Sequence, residues 1–513
     1  MSNHILIVDY GSQLTQLIAR KTRAAGFFAE IMPYGLNPEP YLDKKPGALI
    51  LSGGPASALT PNSPKLDPLL VKASLPTLGI CYGMQLMALS FGGKLTNEAF
   101  GEYGPAQFTP LGNCQLFNLK NKGPFQVWMS HGDRVLTVPS GFKITGKTPE
   151  LEIAAMGDEK RALYAIQFHP EVHHTNFGEE ILKNFFKIAK LKPNWQISSF
   201  ASQAIKNIER LTAPDKRVLL AYSGGVDSTV VAALLSSVLG NRLYCVFVDN
   251  GLLRLNEAEQ VTQAFRSAYP KVNFKLVKAG KIFLSKLKDV VNSERKRKII
   301  GKTFIDVFAR EAKKIGPVHF LAQGTLYPDV IESVSPHGPS AKIKSHHNVG
   351  GLPKHLPFPL IEPLRDLFKD EVRILGQQLG VPDSLLWRQP FPGPGLAIRI
   401  SGKVTESALK ILKKADAVVR EEFKNFSLEK EIWQAFAILL DARSVGVMGD
   451  GRSYGKAAVV RAVTSVDAMT ADWARLPQEL LSKISGRIIN EVPGINRVLY
   501  DISTKPPATI EWE

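Results

Sequence analysis

The chain has 513 residues, with 44% hydrophobic and 22% charged side chains, a composition that excludes a disordered or fibrous protein and allows about three domains. Its net charge of +17 favours anionic partners such as ATP, phosphorylated substrates or nucleic acid. No apolar run approaches the ~20 residues of a membrane span and no cysteines form a C-x-x-C pair, so we expect a cytoplasmic protein without membrane contact, disulfide framework or zinc ribbon.

The first predicted domain, residues 1–195, alternates short apolar runs with helical patterns, which is typical of an α/β layer. The predicted strands of this domain include residues 5–8, 48–51, 77–80 and 165–167. A stretch with Lys, Pro and Trp at 187–195 then indicates a linker.

A nucleophile on a turn is the main chemical feature of this domain. Cys81 follows a strand, precedes a helical pattern and has glycine two residues away on either side, as in a nucleophile elbow. A lone cysteine is more often a buried structural thiol. Here, however, His169 at a second strand end can act as general base, and Glu171 can orient its ring. The backbone N–H groups of Gly53 and Gly54 suit an oxyanion hole.

The G-I-C-Y-G and H-P-E sequences around these residues resemble the motifs of the class I glutamine amidotransferases. The resemblance implies a Cys-His-Glu triad in which Cys81 attacks the side-chain amide of glutamine, forms a glutamyl thioester and releases ammonia. It adds four residues that bind glutamine: Tyr82, Gln85, Ser130 and His131. His173 and His174 follow the triad, but two adjacent histidines without further ligands indicate surface residues rather than a metal site.

The second predicted domain, residues 196–388, contains an apolar strand that ends in a small-residue turn at the start of a helix. The residues of this turn are Ser223, Gly224, Gly225, Val226, Asp227, Ser228 and Thr229. Such a turn binds phosphate through N–H groups, hydroxyls and the helix dipole. The lysine of a Walker A loop is absent, and Asp227 suits a magnesium ion. We therefore predict nucleotide binding; the alternative is an ordinary βα turn.

The S-G-G-V-D-S sequence resembles the pyrophosphate-binding loop of the N-type ATP pyrophosphatases. The resemblance implies that ATP is cleaved between its α and β phosphates and that a carbonyl oxygen of the substrate is adenylylated. Val248 and Gly324 lie at further strand ends, where open α/β sheets bind ligands, and we add them to the ATP site. Asp329 is a second candidate ligand for Mg²⁺, with a helix N-cap as the alternative.

Two other segments of this domain carry charge or flexibility. The basic run at 286–298 has no interleaved aromatic residues and no RNA-binding signature, so small anionic substrates are favoured over nucleic acid. The polar, glycine-terminated segment 344–351 is typical of a mobile lid.

The third predicted domain, residues 389–513, is a small α+β unit. It contains a long helix at 405–423, strand-like runs at 432–440 and 456–463, and an alternating end at 509–513 that we expect to be a strand pinned into a sheet. The predicted fold class is therefore α/β, with two consecutive doubly wound, mainly parallel-sheet domains followed by a small α+β dimerisation domain.

Long motifs in the second and third domains resemble the glutamine-hydrolysing GMP synthases. Four of them are F-V-D-N-G-L-L-R at 247–254, Q-G-T-L-Y-P-D at 323–329, F-P-G-P-G-L-A at 391–397 and K-P-P-A-T-I-E-W-E at 505–513. The resemblance implies glutamine, XMP and ATP as substrates, with Mg²⁺, and a homodimer formed by the third domain. It also implies that Arg297, Lys505 and Glu511 bind XMP.

Three alternatives stand beside this interpretation. An NAD synthetase-like or a tRNA-thiolating ATP pyrophosphatase would share the loop, and a basic nucleic-acid-binding protein could be built on a degenerate amidotransferase. The first usually carries a nitrilase-type Glu-Lys-Cys arrangement, and the second needs paired or persulfide-carrying cysteines, which this sequence lacks. The intact residues Cys81, His169 and Glu171 argue against the third.

Overall fold

The computed structural model describes residues 4–97, 101–120, 123–334, 358–428, 431–448, 451–465 and 470–513. The predicted lid at 344–351 lies outside these residues. The described chain divides into two compact units, residues 4–200 with 328–334 and residues 201–327 with 358–513. The boundaries between the three predicted domains stay predictions. Within the described ranges, no helix combines the length and the apolarity needed to cross a bilayer.

A nine-stranded mixed sheet organises the first unit. Its strands and those of a separate two-stranded sheet are β1 (Ile5–Asp9), β2 (Ala29–Pro33), β3 (Ala48–Leu51), β4 (Thr77–Ile80), β5 (Lys94–Thr96), β6 (Glu102–Pro110), β7 (Phe125–His131), β8 (Arg134–Thr137), β9 (Lys143–Lys147), β10 (Ala155–Asp158) and β11 (Leu163–Ile166). The helices are α1 (Thr15–Ala24), α2 (Glu39–Leu42), α3 (Pro68–Lys72), α4 (Tyr82–Ser90) and α5 (Gly178–Ile188). The order of the large sheet is β2-β1-β3-β4-β11-β10-β9-β6-β7, and β5 pairs with β8.

The parallel half of this sheet positions the candidate site. Strands β3, β4 and β11 are fully buried apolar runs, as expected when both faces of a parallel sheet are covered. They are parallel neighbours, with Leu51 opposite Gly79 and Ile80 opposite Ile166. The loops that follow the three strands, with Gly53, Cys81 and His169, therefore meet at one edge of the sheet.

Helix α6 (Ile197–Leu211) leads into the second unit, which is built on two sheets. The helices that follow α6 along the chain are α7 (Val226–Leu239), α8 (Glu257–Ala268), α9 (Gly280–Leu287), α10 (Ser293–Ile315), α11 (Tyr327–Val334), α12 (Lys369–Gln378), α13 (Asp383–Leu386), α14 (Glu406–Asn425) and α15 (Gln478–Glu491). Residues 328–334 of α11 are grouped with the first unit, and the other helices belong to the second. The strands are β12 (Val218–Ala221), β13 (Leu243–Asp249), β14 (Asn273–Lys278), β15 (Phe320–Ala322), β16 (Leu360–Ile361), β17 (Gln434–Met448), β18 (Gly451–Thr464), β19 (Asp472–Trp473) and β20 (Ile495–Tyr500).

The two sheets of the second unit differ in direction but share one core. The five-stranded sheet, β14-β13-β12-β15-β16, is parallel throughout. The other is largely antiparallel, with β18 between β17 and β19 and with β20 parallel to β18. One cluster of buried apolar side chains runs from Leu219 and Val246 on the first sheet to Leu412 on α14 and Ala437 on the second. The predicted fold class is confirmed.

The expected strand at 509–513 is wrong, because these residues form no sheet ladder. The guanidinium of Arg461, 1% exposed, instead donates to the carbonyls of Ile510 at 2.7 Å and Thr509 at 2.8 Å, and to the carboxylate of Asp501 at 2.7 Å. These carbonyls are therefore satisfied by a side chain rather than by a neighbouring strand. The segment is pinned as predicted, but by a buried cation.

Replacing Arg461 by methionine tests this role. Arg461→Met leaves the half-buried carboxylate of Asp501 without its cation and the carbonyls of Ser503, Thr509 and Ile510 without this donor, and we expect the free energy of unfolding of the second unit to fall by about 3–5 kcal/mol. Urea unfolding followed by tryptophan fluorescence measures the loss. Arg475→Met is the control, because its pair with Asp472 is exposed and should contribute less than about 1 kcal/mol. Equal losses in the two variants would contradict the assignment.

Candidate active site

The backbone at Cys81 adopts a conformation that few residues tolerate. Its φ of 52° and ψ of −104° place it between β4 and α4 as a sharp elbow. Close approach of the neighbouring backbone requires small residues, because a Cβ on Gly83 would lie 2.3 Å from the carbonyl oxygen of Leu51. The same holds at Gly79, where a Cβ would lie 2.7 Å from the oxygen of Gly83. The strained turn at the end of β4 thus presents the thiol to the sheet edge.

The ring of His169 connects this thiol to a buried carboxylate. Its Nδ1 lies 2.7 Å from Oε1 of Glu171, and its ring also hydrogen-bonds with Cys81. His169 is 3% exposed and Glu171 is 0% exposed, so both are shielded from water. Burial opposes the charged imidazolium, but Glu171 and the thiol of Cys81 outweigh it and raise the pKa of His169 well above its ordinary value. The imidazolium form of His169 is therefore favoured beside the thiol of Cys81, an environment that suits a cysteine nucleophile.

A third loop contributes backbone donors beside this pair. A Cβ on Gly53 would lie 3.0 Å from Cε1 of His169, so the loop backbone lies against the ring. Ser52 anchors the loop, since its Oγ accepts from the N–H of Tyr10 at 3.0 Å and its carbonyl accepts from the N–H of Gly83 at 3.0 Å. Gly54 is equally confined, with a Cβ clash of 2.8 Å against the oxygen of Tyr10. The loop thus lies beside the His169 ring, and an oxyanion hole formed by Gly53 and Gly54 stays a prediction.

The four predicted glutamine-binding residues surround the elbow. The thiol of Cys81 lies 3.4 Å from the carbonyl oxygen of Ser130, and the amide of Gln85 donates to the carbonyl of Asp133 at 2.9 Å. The Nδ1 of His131 contacts the same carbonyl at 3.0 Å. Tyr82 lies at the start of α4, where its hydroxyl donates to the carbonyl of Pro64 at 2.6 Å. Their role in binding glutamine stays a prediction.

Asp133, two residues beyond His131, ties two of these loops together. Its carboxylate accepts from the hydroxyl of Ser57 at 2.7 Å and from the N–H of Ala58 at 2.8 Å. The loop after β3 is thus fixed to the loop after β7. No local motif signals this contact, because the partners are 75 and 76 residues apart.

The other two thiols differ from Cys81 in their surroundings. Cys114 and Cys245 are buried, and burial raises the pKa of both thiols above the ordinary value for cysteine. Neither has a histidine partner among the contacts of the described residues. Cys81 is therefore the thiol suited to nucleophilic chemistry.

The small-residue turn of the second unit forms a compact loop at the start of α7. Gly224 has a φ of 75°, and Gly225 is the residue before the helix. The hydroxyl of Ser223 lies 3.1 Å from that of Ser228 and accepts from the N–H of Gly225 at 3.2 Å. Thr229 donates to the carbonyl of Gly225 at 2.8 Å. The start of α7 and the hydroxyls of Ser223 and Ser228 thus lie in one tight turn, the kind of turn that binds anions.

The remaining predicted ATP residues lie on neighbouring strand ends. A Cβ on Gly324, which follows β15, would lie 3.3 Å from Cβ of Asp227, so Gly324 borders the loop. Val248 is buried on β13, two residues beyond the pairing of Ala221 with Val246. The structure therefore brings the three strand ends together, and their contact with ATP stays a prediction.

Two cations at this loop were missed in the sequence. Arg388 donates from Nη1 to the carbonyl of Gly224 at 2.9 Å and pairs with Glu257. The Nζ of Lys369 lies 3.6 Å from Oδ2 of Asp227. Arg388 stands two residues before the P-F-P-G-P-G motif at 390–395, which is the one local signal that could have marked it.

The candidate metal ligands do not form a complete site by themselves. Among the residues that the structure describes, no three His, Cys, Asp or Glu side chains group as a metal centre. Asp227 lies in the first turn of α7 and Asp329 in the first turn of α11. His173 and His174 are exposed, and the ring of His174 lies 4.7 Å from that of Trp128.

Two of the three predicted XMP residues lie near one another in the second unit. Arg297 on α10 donates to the main-chain oxygen of Glu513, while its neighbour Lys296, 0% exposed, contacts the side chain of Glu513 at 2.5 Å. Glu511 is two residues away from that anchor. Lys505 pairs through its backbone with Ala471.

Comparisons with known proteins match both units. A family model for "Glutamine amidotransferase class-I" matches residues 6–189, and one for "GMP synthase C terminal domain" matches residues 421–512. The chain is 56% identical over 511 residues to GMP synthase (glutamine-hydrolyzing) of Nitratidesulfovibrio vulgaris, covering 99% of both proteins. It is 55% identical to the protein of the same name from Oleidesulfovibrio alaskensis, over 100% of this chain and 99% of the relative. The protein of that name from Clostridium acetobutylicum is 52% identical over 99% of both.

The raised pKa of His169 makes a testable prediction. Glu171→Gln removes the charge that outweighs burial, so the pKa of His169 should fall and its imidazolium should be lost at a lower pH than in the parent protein. Alkylation of Cys81 by iodoacetamide at about pH 6.5 should then slow at least about tenfold, since the thiolate loses its charged partner. Peptide mass spectrometry follows the modification. Glu180→Gln, a change at a half-buried residue of α5 outside the triad, should leave the rate unaltered; an unchanged rate in Glu171→Gln would overturn the interpretation.

Proposed function

Because the chain belongs to the family of glutamine-hydrolysing GMP synthases, it is an amidotransferase-type ligase that makes GMP, and we propose that it uses XMP and ATP as substrates together with glutamine. The three alternative identities are therefore wrong: an NAD synthetase-like enzyme, a tRNA-thiolating enzyme and a nucleic-acid-binding protein. The contact of Cys81 with His169, whose ring is held by buried Glu171, carries the proposal for the ammonia-producing half.

In this half, the thiolate of Cys81 attacks the side-chain carbonyl carbon of glutamine. The N–H groups of Gly53 and Gly54 stabilise the oxyanion, and the imidazolium of His169 gives its proton to the leaving nitrogen. Ammonia departs and a glutamyl thioester remains. Water, deprotonated by His169, then attacks the thioester, so that glutamate leaves and the thiol is restored.

In the second half, the C2 oxygen of XMP attacks the α-phosphorus of ATP. The bond to the β-phosphate breaks, and pyrophosphate leaves into the loop of Ser223–Thr229, where hydroxyls and helix N–H groups hold it. Ammonia then attacks C2 of the adenylylated base. The C2–oxygen bond breaks, AMP leaves with that oxygen, and GMP remains.

We propose that Asp227 is the main protein ligand for Mg²⁺ in this half, with Asp329 as a second. Mg²⁺ sites in nucleotide enzymes commonly use one or two carboxylates, with phosphates and water completing the octahedron, so a single acidic residue beside the loop fits the ion. When bound, the ion neutralises charge on the phosphates. Lys369, close to Asp227, adds a fixed positive charge at the same place.

We propose that Arg297 and Lys505 bind the phosphate or other anionic groups of XMP and that Glu511 binds donors on its sugar or base. A guanidinium matches an anionic nucleotide through paired N–H donors, and a carboxylate accepts from O–H or N–H groups. The proximity of Arg297 to the segment that carries Glu511 supports a shared site. A cytoplasmic location, without nucleic-acid or membrane partners, stays a prediction.

We propose a homodimer through the sheet of the third predicted domain. Three exposed apolar side chains share one face of the β17–β18 hairpin: Val445 at 54%, Val447 at 76% and Tyr454 at 67% exposure. Val445 lies directly opposite Tyr454 in the ladder, and Val447 follows two residues later. Exposed apolar patches of this kind commonly mark protein interfaces.

Cys81→Ala separates the two halves of the reaction. We expect GMP formation from glutamine to fall by more than about 10³-fold, because the nucleophile is lost. GMP formation from ammonium, ATP and XMP should stay within about twofold, because the synthetase half needs no thiol. Coupled pyrophosphate release measures both. Cys114→Ala, a matched change at a buried thiol outside the triad, should retain both activities. Loss of both by a folded Cys81→Ala protein would refute the division of labour.

Aspartates on the hairpin test the dimer. Val445→Asp with Val447→Asp should convert the protein to a monomer of 56.4 kDa, because two charges would be buried at the interface. Light scattering coupled to size exclusion measures the mass. Leu136→Asp, at a residue 59% exposed in the first unit, should not change it. A dimer that survives the double change places the interface elsewhere.

A further inference from the structure

The carboxylate of Glu511 is held by two side chains that no sequence motif assigned. Arg399 donates from Nε to Oε2 at 2.9 Å and from Nη2 to Oε1 at 2.8 Å, a bidentate contact. Gln434 donates from Nε2 to Oε1 at 2.7 Å. We propose that Arg399, assisted by Gln434, is a positioning residue that fixes Glu511 for recognition of the nucleotide. This inference rests on the proposed role of Glu511 in binding XMP.

The backbone places Arg399 with little freedom. It ends the 3₁₀ segment Gly395–Arg399, whose first residue has a φ of 63°. A Cβ on Gly395 would lie 2.4 Å from the carbonyl oxygen of Leu252, and that oxygen accepts from the N–H of Leu396 at 2.8 Å. The segment is therefore fixed against the loop after β13, and Arg399 is oriented before any ligand arrives.

The packing around the guanidinium removes its remaining freedom. Arg399 is 0% exposed, and its Cζ lies 3.9 Å from the ring centroid of Phe436 and 5.2 Å from that of Phe391. On the other edge, its Nη1 lies 3.7 Å from Oδ1 of Asp416. Asp416 is itself fixed by Arg420 at 3.1 Å. A planar cation held between two rings and two carboxylates has essentially one orientation, and it transmits that orientation to Glu511.

The bonding of Glu511 leaves it able to accept one more donor. A carboxylate offers about four lone-pair sites, and three here receive N–H groups from Arg399 and Gln434. The side chain is 19% exposed, whereas Arg399 is fully covered. The exposed remainder suits an O–H or N–H donor of the nucleotide. Because the carboxylate is already oriented, binding costs less side-chain entropy than it would for a free glutamate.

Kinetics of the ammonium-dependent reaction test the proposal. Arg399→Lys keeps the charge but loses the two-pronged contact, and we expect the KM for XMP to rise about 10- to 100-fold. The KM for ATP and the kcat at saturating XMP should change less than about threefold, because the lost contact acts on XMP binding alone. Gln434→Met removes one of the three N–H donors to Glu511, together with the contact to the Pro390 carbonyl, and should raise the KM for XMP about three- to tenfold. The second variant also provides the test if Arg399→Lys does not fold.

A double-mutant cycle distinguishes positioning from general support of the fold. If Arg399 acts through Glu511, Arg399→Lys should add less than about twofold to the KM for XMP in a Glu511→Gln background. Full additivity of the two changes would overturn the proposal. So would a KM for XMP that is unchanged in Arg399→Lys or Gln434→Met while Glu511→Gln raises it. An unchanged KM in Glu511→Gln would instead refute the proposed role of Glu511.

A matched arginine elsewhere in the unit provides the control. Arg487 makes a similar bidentate contact with Glu491, at 2.7 and 3.0 Å, but lies on α15 and touches none of the candidate site residues. Arg487→Lys should leave the KM for XMP within about twofold of the parent value. A rise equal to that of Arg399→Lys would show that loss of any such pair disturbs the unit, and the positioning role would be rejected.

Discussion

The alignment of neighbouring parallel strands is the constraint on which both candidate sites depend. Parallel strands end at the same edge of a sheet, so residues far apart in sequence meet in the loops that follow. In the first unit, the ends of β3, β4 and β11 bring the loop of Gly53, the thiol of Cys81 and the ring of His169 together. In the second, the ends of β12, β13 and β15 bring together the loop of Ser223–Thr229, Val248 and Gly324. Both candidate sites are therefore formed by loops that follow neighbouring parallel strands.

A series of polar contacts extends from the loop of Ser223–Thr229 to the carboxylate of Glu511. From the carbonyl of Gly224 it runs through Arg388 and Glu257 to the backbone N–H of Arg254. From the guanidinium of Arg254 it continues through Asp416 and Arg399 to Glu511. Burial lowers the pKa of Arg254 to about 10, which shows how strongly this region excludes water. Arg254, Asp416 and Arg399 are buried together, and each lies beside a group of opposite charge. These contacts form a continuous polar path through the second unit, from the loop of Ser223–Thr229 to Glu511.

The sequence was sufficient where function depends on local pattern. The elbow at Cys81, the loop of Ser223–Thr229 and the fold class all follow from short motifs or from periodicity. It was insufficient where long-range packing decides. Arg388, Arg399 and Gln434 act through partners that lie 77 to 164 residues away, so no local spacing marks them. The expected strand at 509–513 failed for the same reason, since Arg461 on β18 takes the carbonyls that a ladder would use.

In the proposed reaction, the purine is activated by adenylylation at its C2 oxygen before ammonia attacks it. Isotope transfer tests it most directly. XMP labelled with ¹⁸O at C2 is incubated with the protein, ATP, Mg²⁺ and glutamine, and the products are analysed by mass spectrometry. The account predicts one ¹⁸O in the phosphate of AMP for every GMP formed and none in pyrophosphate. Label released to water, with unlabelled AMP, would contradict the account.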